Sequence, residues 1–169
     1  MNVLLNTSAS AKKIALLLNI IGFQLCWAAC VIGGTQWAAV CVPLFLCWHW
    51  TQRKPGELWL IALITLGGSL FDSLLLNLNL MAFPDHDGAL IPLWLMLLWS
   101  AFAATLRHSM AWLLQKPLLA ALLGGIAAPW SYYAGSLFDV IELTAPVLVL
   151  IAVAWALLLA ALSLYWREK

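Results

Sequence analysis

Six apolar stretches follow one another along the chain, separated by short polar breaks. The predicted spans are residues 14–33, 36–50, 58–81, 91–114, 118–137 and 145–166. A membrane-spanning helix needs about 20 predominantly apolar residues, and the breaks contain turn-forming pairs such as Gly33-Gly34 and Lys116-Pro117. The pattern predicts an all-α integral membrane protein, a compact bundle of six transmembrane helices forming one domain over residues 1–169. Stretch 36–50 is short and contains Pro43, so a re-entrant element is the alternative to a full span there.

The composition narrows the class of protein further. Of 169 residues, 65% are hydrophobic and 9% are charged, and the mean hydropathy is +0.99. Soluble domains are about 45–50% apolar and about 25% charged. These values exclude a water-soluble globular protein, a disordered chain and a disulfide scaffold. The net charge of +1 argues against a nucleic-acid partner, because such proteins neutralise phosphates with many basic residues.

The charged residues are distributed unevenly between the two sides of the predicted bundle. With six spans, one side receives all the basic residues: Lys12, Lys13, Arg53, Lys54, Arg107, Lys116, Arg167 and Lys169. The other side receives acidic residues: Asp85, Asp87, Asp139 and Glu142. Cytoplasmic segments of membrane proteins carry an excess of Lys and Arg. The topology predicted from this rule places both termini in the cytoplasm.

The chain contains 11 tryptophans, and most lie near predicted span ends, where aromatic belts form. Four lie deeper: Trp27, Trp99, Trp130 and Trp155. Two interpretations stay open for these four. They fill the core, or they form the wall of a cavity for an acyl chain or a ring.

Polar residues inside the spans are the candidates for function, because a charge at a helix centre costs about 2.5–3.5 kcal/mol on insertion scales. Asp72 lies in the third span and either holds helices together or serves as a proton or substrate site. In the fourth span, Arg107 either extends to the phosphate layer or grips a carboxylate or phosphate. Next to it, His108 is suited to carrying a proton near neutral pH.

The candidate pocket combines these residues with others at similar depth. We expect two layers. The cytoplasm-facing layer contains Asn19, His49, Glu57, Arg107 and His108, and the deeper layer contains Gln24, Asp72, Tyr132 and Tyr133. The predicted pocket residues are Asn19, Gln24, His49, Glu57, Asp72, Arg107, His108 and Tyr132. Their depths follow from the spans, whereas a common orientation is an assumption.

Motifs of known chemistry do not occur in the sequence. HExxH, GxSxG and phosphate-loop patterns are missing, and the four cysteines form no CxxC pair. The three histidines, His49, His86 and His108, are far apart along the chain. The sequence therefore predicts no metal ligand and no cofactor, and the catalytic residues, if the protein is an enzyme, stay unknown.

Several of these residues also form a family resemblance. The pattern is Asn19…Phe23-Gln24, His49…Glu57, Gly68…Asp72, Pro92-x-Trp94-Leu95…Leu98-Trp99-x-x-Phe102-Ala103-x-Thr105-Leu106-x-His108-Ser109-x-x-Trp112-Leu113 and Gly125…Pro129-x-x-Tyr132-x-x-Gly135. It resembles a family of small bacterial inner-membrane proteins known only as a domain of unknown function. The resemblance covers nearly the whole chain, is most specific in the fourth span, and implies a multi-pass protein of the bacterial inner (cytoplasmic) membrane. Members are often encoded beside cyclopropane-fatty-acid-synthase-like and flavin-dependent oxidoreductase genes, which implies a role in membrane-lipid modification.

Three hypotheses of function follow. The first is a component of membrane lipid modification that binds membrane lipids and serves a lipid-modifying enzyme as partner, or is itself a weak enzyme. The second is a small proton-coupled transporter or permeation protein, because intramembrane Asp and His residues mark such paths. The third is a structural membrane scaffold, since polar residues also act as packing contacts between helices. The oligomeric state does not follow from the sequence.

Overall fold

The computed structural model describes residues 2–84 and 86–167, and the side chains of 10–84 and 86–166. This part of the chain forms five helices: α1 (Asn2–Trp50), α2 (Glu57–Asn77), α3 (Leu93–Ala103), α4 (Pro117–Leu137) and α5 (Val147–Arg167). Two short strands, β1 (Met81–Ala82) and β2 (Glu142–Leu143), complete the described elements. The predicted all-helical class is confirmed. Of the residues in the charge argument, Asp85, Lys169 and the side chain of Arg167 lie outside the described part.

Four of the described helices are long and apolar enough to cross a membrane. They comprise Ser10–Trp50, Glu57–Asn77, Pro117–Leu137 and Val147–Trp166. Their outward faces carry many exposed large apolar side chains, such as Leu66 at 64% and Val149 at 64%. An exposed apolar area of this extent is rare in monomeric soluble proteins. It is suited to contact with lipid.

Helix α1 folds back on itself at Gly34, which divides it into a first arm (2–33) and a second arm (35–50). Gly34 has φ 56° and ψ −149°, a region that is essentially restricted to glycine. The Phe45 ring lies against Gly22, where an added Cβ would be 2.6 Å from the ring. Nearer the bend, the Cys26 thiol donates to the carbonyl of Cys41 (3.6 Å). The predicted spans 14–33 and 36–50 therefore correspond to two antiparallel arms of one helical hairpin.

The third predicted span, 58–81, is too long at its C-terminal end. Helix α2 ends with Asn79 at a positive φ of 56°, and the Leu80 N–H donates to the carbonyl of Leu75 (3.0 Å). This is the Schellman motif, which terminates a helix. The apolar residues after the helix form β1 instead of a further turn. Helix α4 ends in the same way, with Asp139 at the positive-φ position.

The strands tie the C-terminal ends of α2 and α4 together. Met81 lies opposite Leu143 and Ala82 lies opposite Glu142 in an antiparallel pair. The Thr144 N–H extends the pairing by donating to the carbonyl of Leu80 (3.1 Å). Helices α2 and α4 therefore run in the same direction. The exposed carboxylates of Asp87, Asp139 and Glu142 lie at or next to these connections, and we call this the acidic end of the bundle.

The fourth predicted span, 91–114, is wrong as a single helix. Helix α3 covers only Leu93–Ala103, and turns follow up to residue 115. In this irregular segment (104–115) the Leu106 N–H donates to the carbonyl of Ala103 (3.3 Å), three residues back. The Met110 N–H donates to the carbonyl of Thr105 (3.0 Å), five residues back. The four-residue spacing between hydrogen-bonded backbone groups of the α-helix is lost in the segment that contains the predicted site residues Arg107 and His108.

The helices form two groups that meet through aromatic side chains. Helix α3 packs against both α1 and α2, whereas α4 packs mainly against α5. Trp155 of α5 stacks on Trp99 of α3 with ring centroids 4.9 Å apart and contacts Phe102 edge-on at 4.8 Å. Within each group the approach is close, because an added Cβ on Gly124 would lie 2.9 Å from the carbonyl of Trp155. Between the two groups the fit is looser and leaves a cavity.

Candidate functional site

The end of the bundle opposite the strands carries Arg53, Lys54, Arg107 and Lys116, and we call it the basic end. Here the Lys54 ammonium donates to the carbonyl of Arg107. In return, the Arg107 guanidinium donates through Nη1 to the carbonyl of Pro55 (2.6 Å). These two contacts fasten the irregular segment to the loop between α1 and α2. Arg107 therefore has a structural role, because it holds the irregular segment against this loop.

Asn19, in the first arm of α1, holds the irregular segment from inside and is only 1% exposed. Its amide nitrogen donates to the carbonyl of Ala104 (3.3 Å), and its oxygen accepts from the N–H (3.2 Å) and the hydroxyl (2.6 Å) of Ser109. In a regular helix the carbonyl of Ala104 would accept from the N–H of His108. That N–H donates to the carbonyl of Thr105 instead (3.0 Å). Asn19 thus satisfies backbone groups that the irregular segment leaves unpaired.

Three polar side chains meet next to this contact, and we call them the histidine–glutamate cluster: His49, Glu57 and His108. The Nε2 atom of His108 lies 3.0 Å from Oε1 and 3.2 Å from Oε2 of Glu57. On the other side, Nε2 of His49 lies 3.6 Å from Oε1 of Glu57, and the two imidazole centroids are 4.7 Å apart. Exposure is 2% for His49, 0% for Glu57 and 15% for His108.

The histidine–glutamate cluster brings together two histidines that lie far apart along the chain. Two of the three, His49 and His108, lie beside the carboxylate of Glu57, and the three residues come from three separate segments of the chain. The third, His86, follows β1 at the acidic end, where its Nε2 is 2.5 Å from the carbonyl of Leu90. The prediction of no metal ligand rested on sequence spacing, and the fold supplies a candidate group of ligands.

Asp72 forms a second buried polar contact, deeper in the bundle. The Trp99 indole N–H donates to Oδ2 (2.7 Å) and the Tyr132 hydroxyl donates to Oδ1 (2.7 Å). Asp72 is 0% exposed, and its carboxylate joins α2, α3 and α4. One turn earlier in α2, an added Cβ on Gly68 would lie 2.2 Å from the Trp99 ring. A glycine is therefore needed for the indole to reach Asp72.

A cavity of about 650 Å³ lies between the first arm of α1, α3 with the irregular segment, and the α4–α5 pair. Most of its wall is apolar or aromatic. All four of the deep tryptophans line it: Trp27, Trp99, Trp130 and Trp155. These four residues therefore line a cavity, and two of them, Trp99 and Trp155, also pack in the core.

The cavity opens at the apolar surface between the first arm of α1 and α4. Its lining includes Ile20 and Trp130, which are 41% and 68% exposed. The Trp27 indole N–H donates to the Ser131 hydroxyl (2.9 Å) and bridges the two helices. Polar groups in the lining are few: Gln24, Thr105, Ser109, Ser131 and Tyr132. Ser109 and Ser131 were not among the predicted site residues, because a serine in an apolar helix gives no signal of its own.

The eight predicted pocket residues divide between two levels of the bundle. At the basic end lie Asn19, His49, Glu57, Arg107 and His108. Deeper lie Gln24, Asp72 and Tyr132, of which Gln24 and Tyr132 line the cavity. Glu57 and Asp72 are 15 residues apart in α2, or about 22 Å at 1.5 Å per residue. The structure therefore presents an apolar cavity and a separate buried polar cluster.

Comparison with known proteins identifies a family but no activity. Residues 16–161 match the model of a family described as a protein of unknown function (DUF2878). No curated protein matches the chain, and no solved structure matches it either.

Proposed function

The chain belongs to the DUF2878 family of proteins of unknown function, and we propose that it is a lipid-binding protein of the bacterial inner membrane. In this proposal the cavity holds the apolar chain of a membrane lipid. One observation carries it. The cavity of about 650 Å³ is walled by four tryptophans and opens sideways on an apolar surface, where a lipid can enter directly from the bilayer.

We propose that the chain crosses the membrane six times with both termini in the cytoplasm. The apolar stretch Ser10–Trp50 contains 41 residues, or about 60 Å of helix, and its two arms are antiparallel. This length supports two crossings of a hydrocarbon core of about 30 Å. Helices α2, α4 and α5 supply three more, and α3 with the irregular segment supplies one. Basic residues at one end and exposed carboxylates at the other support the cytoplasmic position of the basic end.

The chemistry of the cavity suits an amphiphile with one apolar chain. Ligand pockets typically measure about 300–1,000 Å³ and combine apolar walls with a few polar groups that set orientation. Here Thr105 and Ser109 lie on the irregular segment, toward the basic end. A polar head placed near them would leave the chain among the tryptophans, beside Tyr132 and Trp155.

The bound lipid would then be presented to a lipid-modifying enzyme as partner. This step rests on the gene neighbourhood that the family resemblance implies. Transport has weaker support from the geometry, because both oxygens of Asp72 already accept hydrogen bonds from Trp99 and Tyr132. A scaffold without a ligand leaves the lateral cavity without a role.

Native mass spectrometry of the protein purified in mild detergent tests lipid binding. Ala127 lines the cavity and is exposed, so Ala127→Phe fills the cavity without disturbing a packed contact. Ala39 is exposed on the second arm of α1, outside the lining, and Ala39→Phe is the matched control. We expect about one lipid per chain in the wild type and in Ala39→Phe, and a loss of most of it in Ala127→Phe.

Two results would overturn the proposal. One is a wild-type protein that carries detergent only, under conditions that preserve its fold. The other is equal lipid occupancy in Ala127→Phe and Ala39→Phe. Co-purification of a lipid-modifying enzyme with the wild type, and its loss with Ala127→Phe, would support the proposed partner.

A further inference from the structure

The histidine–glutamate cluster has the composition of a metal site. His49 belongs to the last turn of α1, Glu57 is the first residue of α2, and His108 lies in the irregular segment. One ligand atom from each of the three residues lies within 4.8 Å of the others. Two imidazoles and one carboxylate are the ligand set of several catalytic zinc sites and of non-heme Fe(II) sites.

Several polar atoms of the cluster are buried without a hydrogen bond. Within the described side chains, these atoms are Nδ1 and Nε2 of His49 and Oε1 of Glu57, since the hydrogen bond of His108 Nε2 is made with Oε2 (3.2 Å). A buried polar atom without a partner is destabilising, because water solvates it in the unfolded state. A cation bound to Nε2 of His49 and Oε1 of Glu57 would satisfy two of these three atoms.

The distances between donor atoms suit one ion. Zn²⁺ bonds nitrogen and oxygen at about 2.0–2.2 Å, and at the tetrahedral angle this separates neighbouring donors by about 3.3–3.6 Å. Oε1 of Glu57 lies 3.0 Å from Nε2 of His108 and 3.6 Å from Nε2 of His49. The ligand atoms of the two histidines lie within 4.8 Å of each other, so the two imidazoles would move toward each other to place all three donors around one ion.

Backbone contacts hold the carboxylate and one imidazole in position. The Lys54 N–H donates to Oε2 of Glu57 (2.7 Å), which leaves Oε1 directed between the two imidazoles. Partners that orient a ligand in this way raise metal affinity. Asn19 holds the neighbouring backbone of Ser109 (3.2 Å) and so keeps His108 beside Glu57. The exposed loop residues 51–56 border the cluster and give an ion a route from the basic end.

We propose that His49, Glu57 and His108 bind one divalent transition-metal ion, Zn²⁺ or Fe²⁺. Three protein ligands leave at least one coordination position for water or a further ligand. This inference does not depend on lipid binding, since none of the three described side chains is part of the cavity lining. Lipid occupancy and metal content can therefore fail separately.

The experiment measures metal in the full-length protein in detergent. Elemental analysis after expression in Zn²⁺- or Fe²⁺-supplemented medium gives the metal content, and titration of chelator-treated protein with Zn²⁺ gives the affinity. The variants are Glu57→Gln, which retains the size of the side chain, and His108→Asn, which removes the imidazole and keeps a polar side chain. The matched control is His86→Asn, which removes a histidine at the acidic end.

We expect about one metal ion per chain in the wild type and in His86→Asn. In Glu57→Gln and His108→Asn the affinity should fall by more than about tenfold, because even residues behind the ligands change it by about 10–100-fold. Wild-type protein without stoichiometric metal, and without Zn²⁺ binding after titration, would overturn the proposal. Unchanged affinity in Glu57→Gln would do so as well.

X-ray absorption at the zinc edge keeps the proposal falsifiable if the variants do not fold. The wild type should show nitrogen and oxygen neighbours at about 2.0–2.2 Å with the outer-shell scattering of two imidazoles. A zinc spectrum without imidazole scattering would show adventitious binding and would contradict the proposed site.

Discussion

Replacing Asn19 by Leu removes the side chain that holds the irregular segment against α1. Leu matches Asn in the number and branching of its side-chain heavy atoms, so the change deletes hydrogen bonds and keeps the branched shape, although its two methyl groups are bulkier than the amide. Three bonds are lost: one to the carbonyl of Ala104 and two from Ser109. Asn19 is 1% exposed, so water has little access to the groups left behind.

The expected effect follows from the number of bonds. Hydrogen bonds between helices in membranes average about 0.6 kcal/mol and reach about 1.7 kcal/mol. Three such bonds predict that Asn19→Leu lowers the free energy of unfolding by about 2–5 kcal/mol. Ser109→Ala deletes only the hydroxyl bond to Asn19 (2.6 Å) and should lower it by about 0.6–1.7 kcal/mol.

Denaturation in mixed micelles measures both variants, and hydrogen exchange locates the change. In Asn19→Leu, exchange should accelerate in residues 104–110 and stay unchanged in α4 and α5. A loss in Asn19→Leu no larger than that in Ser109→Ala would refute the reasoning. Faster exchange spread over all helices would refute the assignment of Asn19 to this segment.

Two further changes test the packing of the bundle. Asp72→Leu leaves donors of Trp99 and Tyr132 without an acceptor and should lower the free energy of unfolding by about 2–4 kcal/mol in the same assay. Asp72→Asn keeps an acceptor oxygen and should lose about half as much, and equal losses would contradict this account. Gly124→Ala places a Cβ 2.9 Å from a carbonyl of α5 and should cost about 1–3 kcal/mol by thermal unfolding. Gly67→Ala, with open space around it, is the control, and a matching loss there would contradict the close contact of α4 and α5.

Hydropathy predicts where helices lie but not where their backbone changes course. The residues after α2, such as Leu80 and Met81, are apolar, so hydropathy predicts that the helix continues through them. The chain leaves the helix there because Asn79 adopts a positive φ of 56° and closes a Schellman motif. Gly33-Gly34, by contrast, was a visible signal, since only glycine readily adopts the backbone conformation of Gly34.

The break after α3 is stabilised by a residue of another helix. Asn19 lies 85 residues before Ala104, whose carbonyl it satisfies, and no local pattern in 91–114 indicates this contact. The sequence places His49, Glu57 and His108 in the same cytoplasm-facing layer, but it does not indicate their direct contact, because His108 meets Glu57 across 51 positions. The polar residue types inside the spans indicated functional candidates, and only the fold shows which of them meet.

Photo-crosslinking with a fatty acid that carries a diazirine on its terminal carbon tests the central claim most directly. If the cavity holds an acyl chain, peptide mapping by mass spectrometry should place most crosslinks on the cavity wall, at Trp99, Trp155 and their neighbours. Ala127→Phe should abolish these crosslinks and leave the weak labelling of the outer helix faces unchanged. Crosslinks spread evenly over the outer faces, with none at Trp99 or Trp155, would contradict the account.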